Sequence, residues 1–142
     1  MRTFIVSFIF CFIVVSVNAQ TIFGKWNSFD EETKKLESVI EIYKKDGKAY
    51  ARIFSITDTE RQGAICTECK GKKKDKPILG MDILSGLKKK GDEWSGGKIL
   101  DPKSGKEYKC YIKLLDKNTL KIRGYIGFSM FGRTAIWKRA KE

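Results

Sequence analysis

Histidine is absent from the 142 residues of this chain. That removes the side chain most often recruited for general acid–base work, and with it the Ser-His-Asp constellation and histidine-ligated zinc. No glycine-rich phosphate loop and no nucleophile–base pair stand out among the remaining residues. Acidic residues are scarce, 17 Asp and Glu against 29 Lys and Arg, for a net charge of +12. Beyond the first stretch there is no long helical period, and no apolar run reaches the ~20 residues a membrane-crossing helix needs. An enzyme is therefore the least favoured class. Only a cleft pairing the carboxylates of Asp82 and Asp101 would revive it.

What is present begins with a leader. Arg2, the apolar run Phe4–Val17 and the small-residue site Val17-Asn18-Ala19 have the form of a secretory signal peptide. Cys11 lies inside that run and is followed by Phe12, so it does not resemble an acylation site. Residues 1–19 are read as a removed signal peptide and residues 20–142 as a single domain, secreted or periplasmic. Arg2 alone leaves with the leader, so the mature chain keeps its basic excess. Such a balance favours anionic envelope components, lipid headgroups or polyanionic glycans. Nucleic acid is discounted by export. The lysines at Lys70, Lys72–Lys74, Lys76 and Lys88–Lys90 also lack the interleaved aromatics that stack bases. Their plainest role is to be solvated and to guard strand edges.

The mature chain reads as short strands separated by turn signals. Strands are expected from Gly24-Lys25-Trp26 onward and at Leu36–Lys44, Ala49–Ile56, Gly80–Leu87, Glu93–Leu100, Tyr108–Leu115, Leu120–Ile126 and Arg133–Arg139. Asp46-Gly47 is a hairpin turn, because both central residues of a type I′ turn need positive φ. About eight antiparallel strands can close into a small up-and-down barrel with room for side chains or one small ligand. A sandwich is the alternative. Gly96-Gly97 within a strand points to a bulge or a close backbone approach. Gly127–Gly132 reads as a short connection, and Thr57–Lys76 is the one long irregular segment.

Cys66-x-x-Cys69 lies in that segment. Its spacing allows a direct disulfide, a redox pair or part of a metal site, and an oxidising compartment favours the disulfide. Cys110 shares a strand face with Tyr108, Ile112 and Leu114, as a small buried hydrophobe would. Trp26, Trp94 and Trp137 are expected in the core or along a ligand pocket. On Leu120–Ile126, Leu120, Ile122 and Ile126 share one face, and Lys121, Arg123 and Tyr125 the other. Arg123 and Tyr125 therefore belong either to an outer polar face or to a cavity where the guanidinium grips an anionic head. Arg133 is a second such anchor.

These residues together resemble the bacterial domain-of-unknown-function 2147 family. The matching pieces are Cys66-x-x-Cys69-x-Gly71, Lys76-Pro77-x-x-Gly80-Met81 and Trp94-x-Gly96-Gly97-x-Ile99-x-Asp101-Pro102. Further along they are Gly105-Lys106-x-Tyr108-x-Cys110, Arg123-Gly124-Tyr125-x-Gly127 and Gly132-Arg133-Thr134-x-x-Trp137-x-Arg139. Upstream, Gly24-Lys25-Trp26 and Ser38-x-Ile40-x-Ile42-Tyr43 fit as well. The resemblance implies an exported envelope protein with a lipocalin- or calycin-like barrel. It also implies a first-strand Gly-x-Trp, Trp26, packed beneath a basic residue of the last strand, Arg139 or else Arg133. It supplies no enzyme activity, catalytic residue or cofactor.

The expected function is non-catalytic binding of a small apolar or amphiphilic ligand. Trp26, Trp94, Tyr125 and Trp137 would give contact area, and Arg123 or Arg133 the anchor. The alternative is an interaction module that meets a polyanionic surface or protein through its lysine loops.

Overall fold

The computed structural model describes residues 20–141, so the leader assigned to residues 1–19 lies outside the described residues. Eight strands follow one another, β1 (Gly24–Phe29), β2 (Leu36–Lys45), β3 (Lys48–Ile56), β4 (Asp82–Lys90), β5 (Glu93–Asp101), β6 (Lys106–Asp116), β7 (Thr119–Tyr125) and β8 (Gly132–Arg139). Each pairs antiparallel with the next, and β8 returns to β1 through Trp26↔Arg139 and Asn27↔Lys138. The result is a closed barrel, which decides against the sandwich.

Closure follows from local chemistry. On β2, buried Ser38, Ile40 and Ile42 alternate with outward neighbours, the period-2 pattern of a sheet with one dry face. Asp46 and Gly47 both adopt positive φ, 51° and 76°, which turns β2 sharply into β3. Curvature comes from irregular pairing. Gly96 has φ of 80°, and the β5–β6 register shifts between Ser95 and Gly97. A Cβ on Gly97 would overlap the Ser85 carbonyl oxygen and come within 2.9 Å of Leu87 Cδ2. The glycine pair is both a bulge and a close backbone approach.

The connection from β3 to β4 folds onto itself. Ile65 bridges Pro77, the Cys66 amide donates to the Lys76 carbonyl at 2.8 Å, and the Ile78 amide donates to the Ala64 carbonyl at 3.0 Å. Cys66 and Cys69 are joined in a disulfide and are buried. The segment is seated against the β5–β6 turn, with Cys66 Sγ 3.3 Å from the Pro102 carbonyl oxygen. Cys110 is a free thiol buried within the barrel, and burial pushes its pKa up to about 12. It is chemically quiet.

Candidate functional site: a cavity at one end of the barrel

One end of the barrel is packed solid. Trp26, Ile42, Leu87, Ile112 and Leu120 are fully buried there, and none of them lines the cavity at the opposite end. The Trp26 indole N–H donates to the Ile22 carbonyl at 2.8 Å. Arg139 lies over the ring, and its Nη2 and Nε donate to the Thr21 and Lys117 carbonyls, each at 2.7 Å. The Trp26–Arg139 pair implied by the resemblance is thus present at the base.

The other end is hollow. A cavity of about 700 Å³ opens there, between the β1–β2 connection, the β3–β4 segment and the β5–β6 and β7–β8 turns. Its wall is aliphatic, lined by Ile40, Ile53, Ile83, Ile99, Leu100 and Ile122. Two buried hydroxyls, Ser28 and Ser38, lie 2.7 Å apart and satisfy one another, so they add polarity without an unpaired group. On β8 the inward row runs Arg133, Ala135, Trp137, and the next member of that row is Arg139 at the base.

The mouth carries charge of both signs. Asp30, Glu31, Glu32, Glu37 and Asp101 face Arg61, Lys103 and Arg133. Glu37 takes both Lys103 and Arg61, the latter at 3.6 Å, while Arg133 reaches Glu31 at 3.4 Å. Asp30 Oδ1 caps its own turn, accepting from the Thr33 and Glu32 amides at 2.7 and 3.0 Å. Those bonds, the Thr33 amide first, hold its carboxyl below the usual carboxylate range. A chain with a large basic excess has a cavity mouth where carboxylates outnumber cations five to three.

Of the residues named from sequence, Arg133, Tyr125 and Trp137 border the cavity. Tyr125 does so at the rim, its ring 6.5 Å from that of Tyr111. Trp26 belongs to the packed base. Trp94 meets Phe23 edge-on at 5.5 Å, away from the cavity wall. Arg123 is turned to the outer face, where it donates to the Ser129 and Met130 carbonyls and to Thr134 Oγ1. The reason is parity, since Leu120 and Ile122 on the same strand point inward. Asp82 accepts from the Tyr43 hydroxyl at 2.7 Å outside the cavity, whereas Asp101 is engaged by the Lys103 amide and Ser104 hydroxyl at its mouth. They do not form an acid–base pair. In the first lysine run, Lys73 and Lys74 donate to the carbonyls of Asp82 and Thr67, each at 2.8 Å.

Sequence reasoning missed the acidic rim and the Ser28–Ser38 pair. The only signal for the former was the density of carboxylates in Asp30-Glu31-Glu32 beside a strand end. Among the described residues, no three His, Cys, Asp or Glu side chains gather as a metal site, and no helix is long and apolar enough to cross a membrane.

The barrel is similar to a solved structure described as "Protein HP1028 from the human pathogen Helicobacter pylori belongs to the lipocalin family". The TM-score is 0.75 at 22% identity, covering 86% of this chain and 84% of that one. The fold is lipocalin-like. No curated protein matches the chain. Residues 24–139 match the family model described as "Uncharacterized protein conserved in bacteria (DUF2147)". That match takes in all eight strands, and the chain belongs to this bacterial family.

Proposed function

We propose that the protein binds one small apolar or amphiphilic molecule, its apolar part in the hollow half of the barrel and its head at the mouth. The observation that carries this reading is the cavity of about 700 Å³, within the range of roughly 300–1,000 Å³ typical of small-molecule sites. Its aliphatic wall offers burial without directional bonds, which suits an acyl chain or another flexible apolar group. The rim has few unpaired cations to hold an anionic head. Arg133 already reaches Glu31, and Arg61 and Lys103 share Glu37. A neutral or zwitterionic head suits it better than a carboxylate or phosphate monoester. No residue is assigned a catalytic role.

The disulfide Cys66–Cys69 supports a site of action outside the reducing cytoplasm. This agrees with the leader form of residues 1–19.

Titration with N-phenyl-1-naphthylamine, read by energy transfer from tryptophan, tests the reading. Saturable binding, displaced by a long-chain monoglyceride more readily than by the matching fatty-acid anion, is expected. Ala135→Phe, which fills the wall beside Trp137, should weaken it. Absence of saturable uptake by the folded protein would reject the ligand reading, and equal binding to Ala135→Phe would reject this cavity as its seat.

A further inference from the structure

The β7–β8 connection is the least buried apolar part among the described residues. Ile126, Phe128, Met130 and Phe131 are 68, 75, 75 and 64% exposed. Four large apolar side chains in six residues, left in water at a hairpin tip, carry a hydration cost with no return inside the fold.

The tip is also held in this state. The Ile126 amide donates to the Phe131 carbonyl at 3.1 Å, and the Phe131 amide to the Phe128 carbonyl at 3.0 Å. From the outer face, Arg123 Nε and Nη2 donate to the carbonyls of Ser129 and Met130 at 2.9 and 3.2 Å. Its Nη1 donates to Thr134 Oγ1 at 3.0 Å. The guanidinium thus fixes the turn that presents Phe128 and Met130 to solvent.

Placement supplies the occupant. Ile126 and Phe131 are at once tip residues and cavity-wall residues, whereas Phe128 and Met130 lie outside the wall and are largely exposed. The apolar surface therefore runs without a break from outside the protein into the hollow end. A short apolar wedge matches the interior of a bilayer, and the exposed Lys70, Lys72 and Lys76 of the β3–β4 segment, at the same end of the barrel but outside the acidic cavity rim, match its anionic face. A protein partner would ordinarily need a broader patch than one hairpin tip.

We propose that residues 126–131 insert into the outer part of an anionic lipid bilayer and set the cavity mouth against the membrane surface. The proposal goes beyond the ligand reading and does not depend on the ligand's identity. Phe128 and Met130 lie outside the cavity wall, so altering them leaves the ligand site as it is.

The test is flotation of the chain from residue 20 onward with vesicles of phosphatidylethanolamine and phosphatidylglycerol. Ser129→Cys carries an environment-sensitive nitrobenzoxadiazole label, which the buried Cys110 does not compete for. Co-flotation is expected, with label emission shifted to the blue and quenched by lipids bearing a shallow acyl-chain spin label. Phe128→Ser/Met130→Ser should lose about tenfold or more of the vesicle affinity, as expected from removing the apolar anchor, while keeping its melting temperature and naphthylamine binding. The proposal is overturned by wild type that stays with the soluble fraction, by unchanged binding of the double variant, or by binding without lipid quenching of the label. Concentration-dependent self-association abolished by the double variant, with no flotation, would assign the tip to a second copy and equally overturn it.

Discussion

The guanidinium of Arg139 covers the indole of Trp26, its central carbon 4.2 Å from the ring centroid, at the point where the last strand meets the first. Stacking is only part of that contact. Three nitrogens of the same group donate to the carbonyls of Thr21, Phe23 and Lys117, at 2.7, 3.3 and 2.7 Å. The segment before β1, the β6–β7 turn and the end of β8 are tied by one planar fork, a geometry that lysine cannot reproduce.

Arg139→Ala is accordingly expected to lower unfolding stability by about 2–3 kcal/mol, from lost stacking and unsatisfied carbonyls. Arg139→Lys should recover only a minor part of it. Urea unfolding followed by tryptophan fluorescence checks both. A lysine variant as stable as wild type would show that charge alone suffices.

Gly97→Ala places a methyl group onto the Ser85 carbonyl oxygen and against Leu87. The β4–β5 pair must open to admit it. A loss on the order of 2–3 kcal/mol is expected for such overpacking. Thermal melting should detect it readily, and an unchanged midpoint would contradict the close approach.

Replacing both cysteines, Cys66→Ser/Cys69→Ser, removes a small ring. Loop-closure entropy for so short a separation is worth roughly 2 kcal/mol, and the two serine hydroxyls would be buried where sulfur was. The β3–β4 segment also supplies Ile78 and Arg61 to the cavity wall. Naphthylamine binding should weaken together with stability. Full binding by the doubly substituted protein would show that the segment keeps its place without the bond.

Burial raises the Cys110 thiol from 9.0 to about 12. Burial and the hydrogen bond to Asp82 raise the Tyr43 phenol from 10.0 to about 12. Above pH 9 the unfolded chain gives up these protons before the folded one does. Stability from both groups is therefore complete below that pH and is lost as pH climbs through about 12. Denaturant midpoints between pH 8 and roughly 11 should fall, and less steeply in Cys110→Ala. The native chain from residue 20 onward, which lacks Cys11, should leave Ellman's reagent untouched at pH 8, and one thiol should appear on unfolding. Rapid native labelling would contradict the burial of Cys110.

The architecture was largely legible because each strand pays its own way in local signals. Ile40 and Ile42 alternate with polar neighbours, Asp46-Gly47 demands positive φ, and Gly96-Gly97 marks a bulge. The base pair Trp26–Arg139 was legible through family resemblance. The cavity was not, because hollow and packed halves use the same alternation. Ile122 borders the cavity while Leu120, two residues away on the same face, is buried in the base. The direction of Arg123 was equally open until closure showed which face of β7 was dry. Gly127–Gly132 read as a mere connection and Ile126 as the end of a strand on its apolar face, whereas β7 ends at Tyr125 and Ile126 is exposed; local pattern reports turns and does not say which apolar side chains find cover.

The seam between β1 and β8 rests on two residue pairs, Trp26↔Arg139 and Asn27↔Lys138. Its halves are the most widely separated partners among the paired strands. A growing polypeptide that has emerged only as far as the β7–β8 turn can form a curled ribbon, yet it has no lid for the Trp26 indole. Sealing therefore waits for β8, and it is slow for the same reason that contacts between distant positions are slow. Until then an incomplete molecule displays two open margins, each a row of unpaired backbone groups able to pair with another strand.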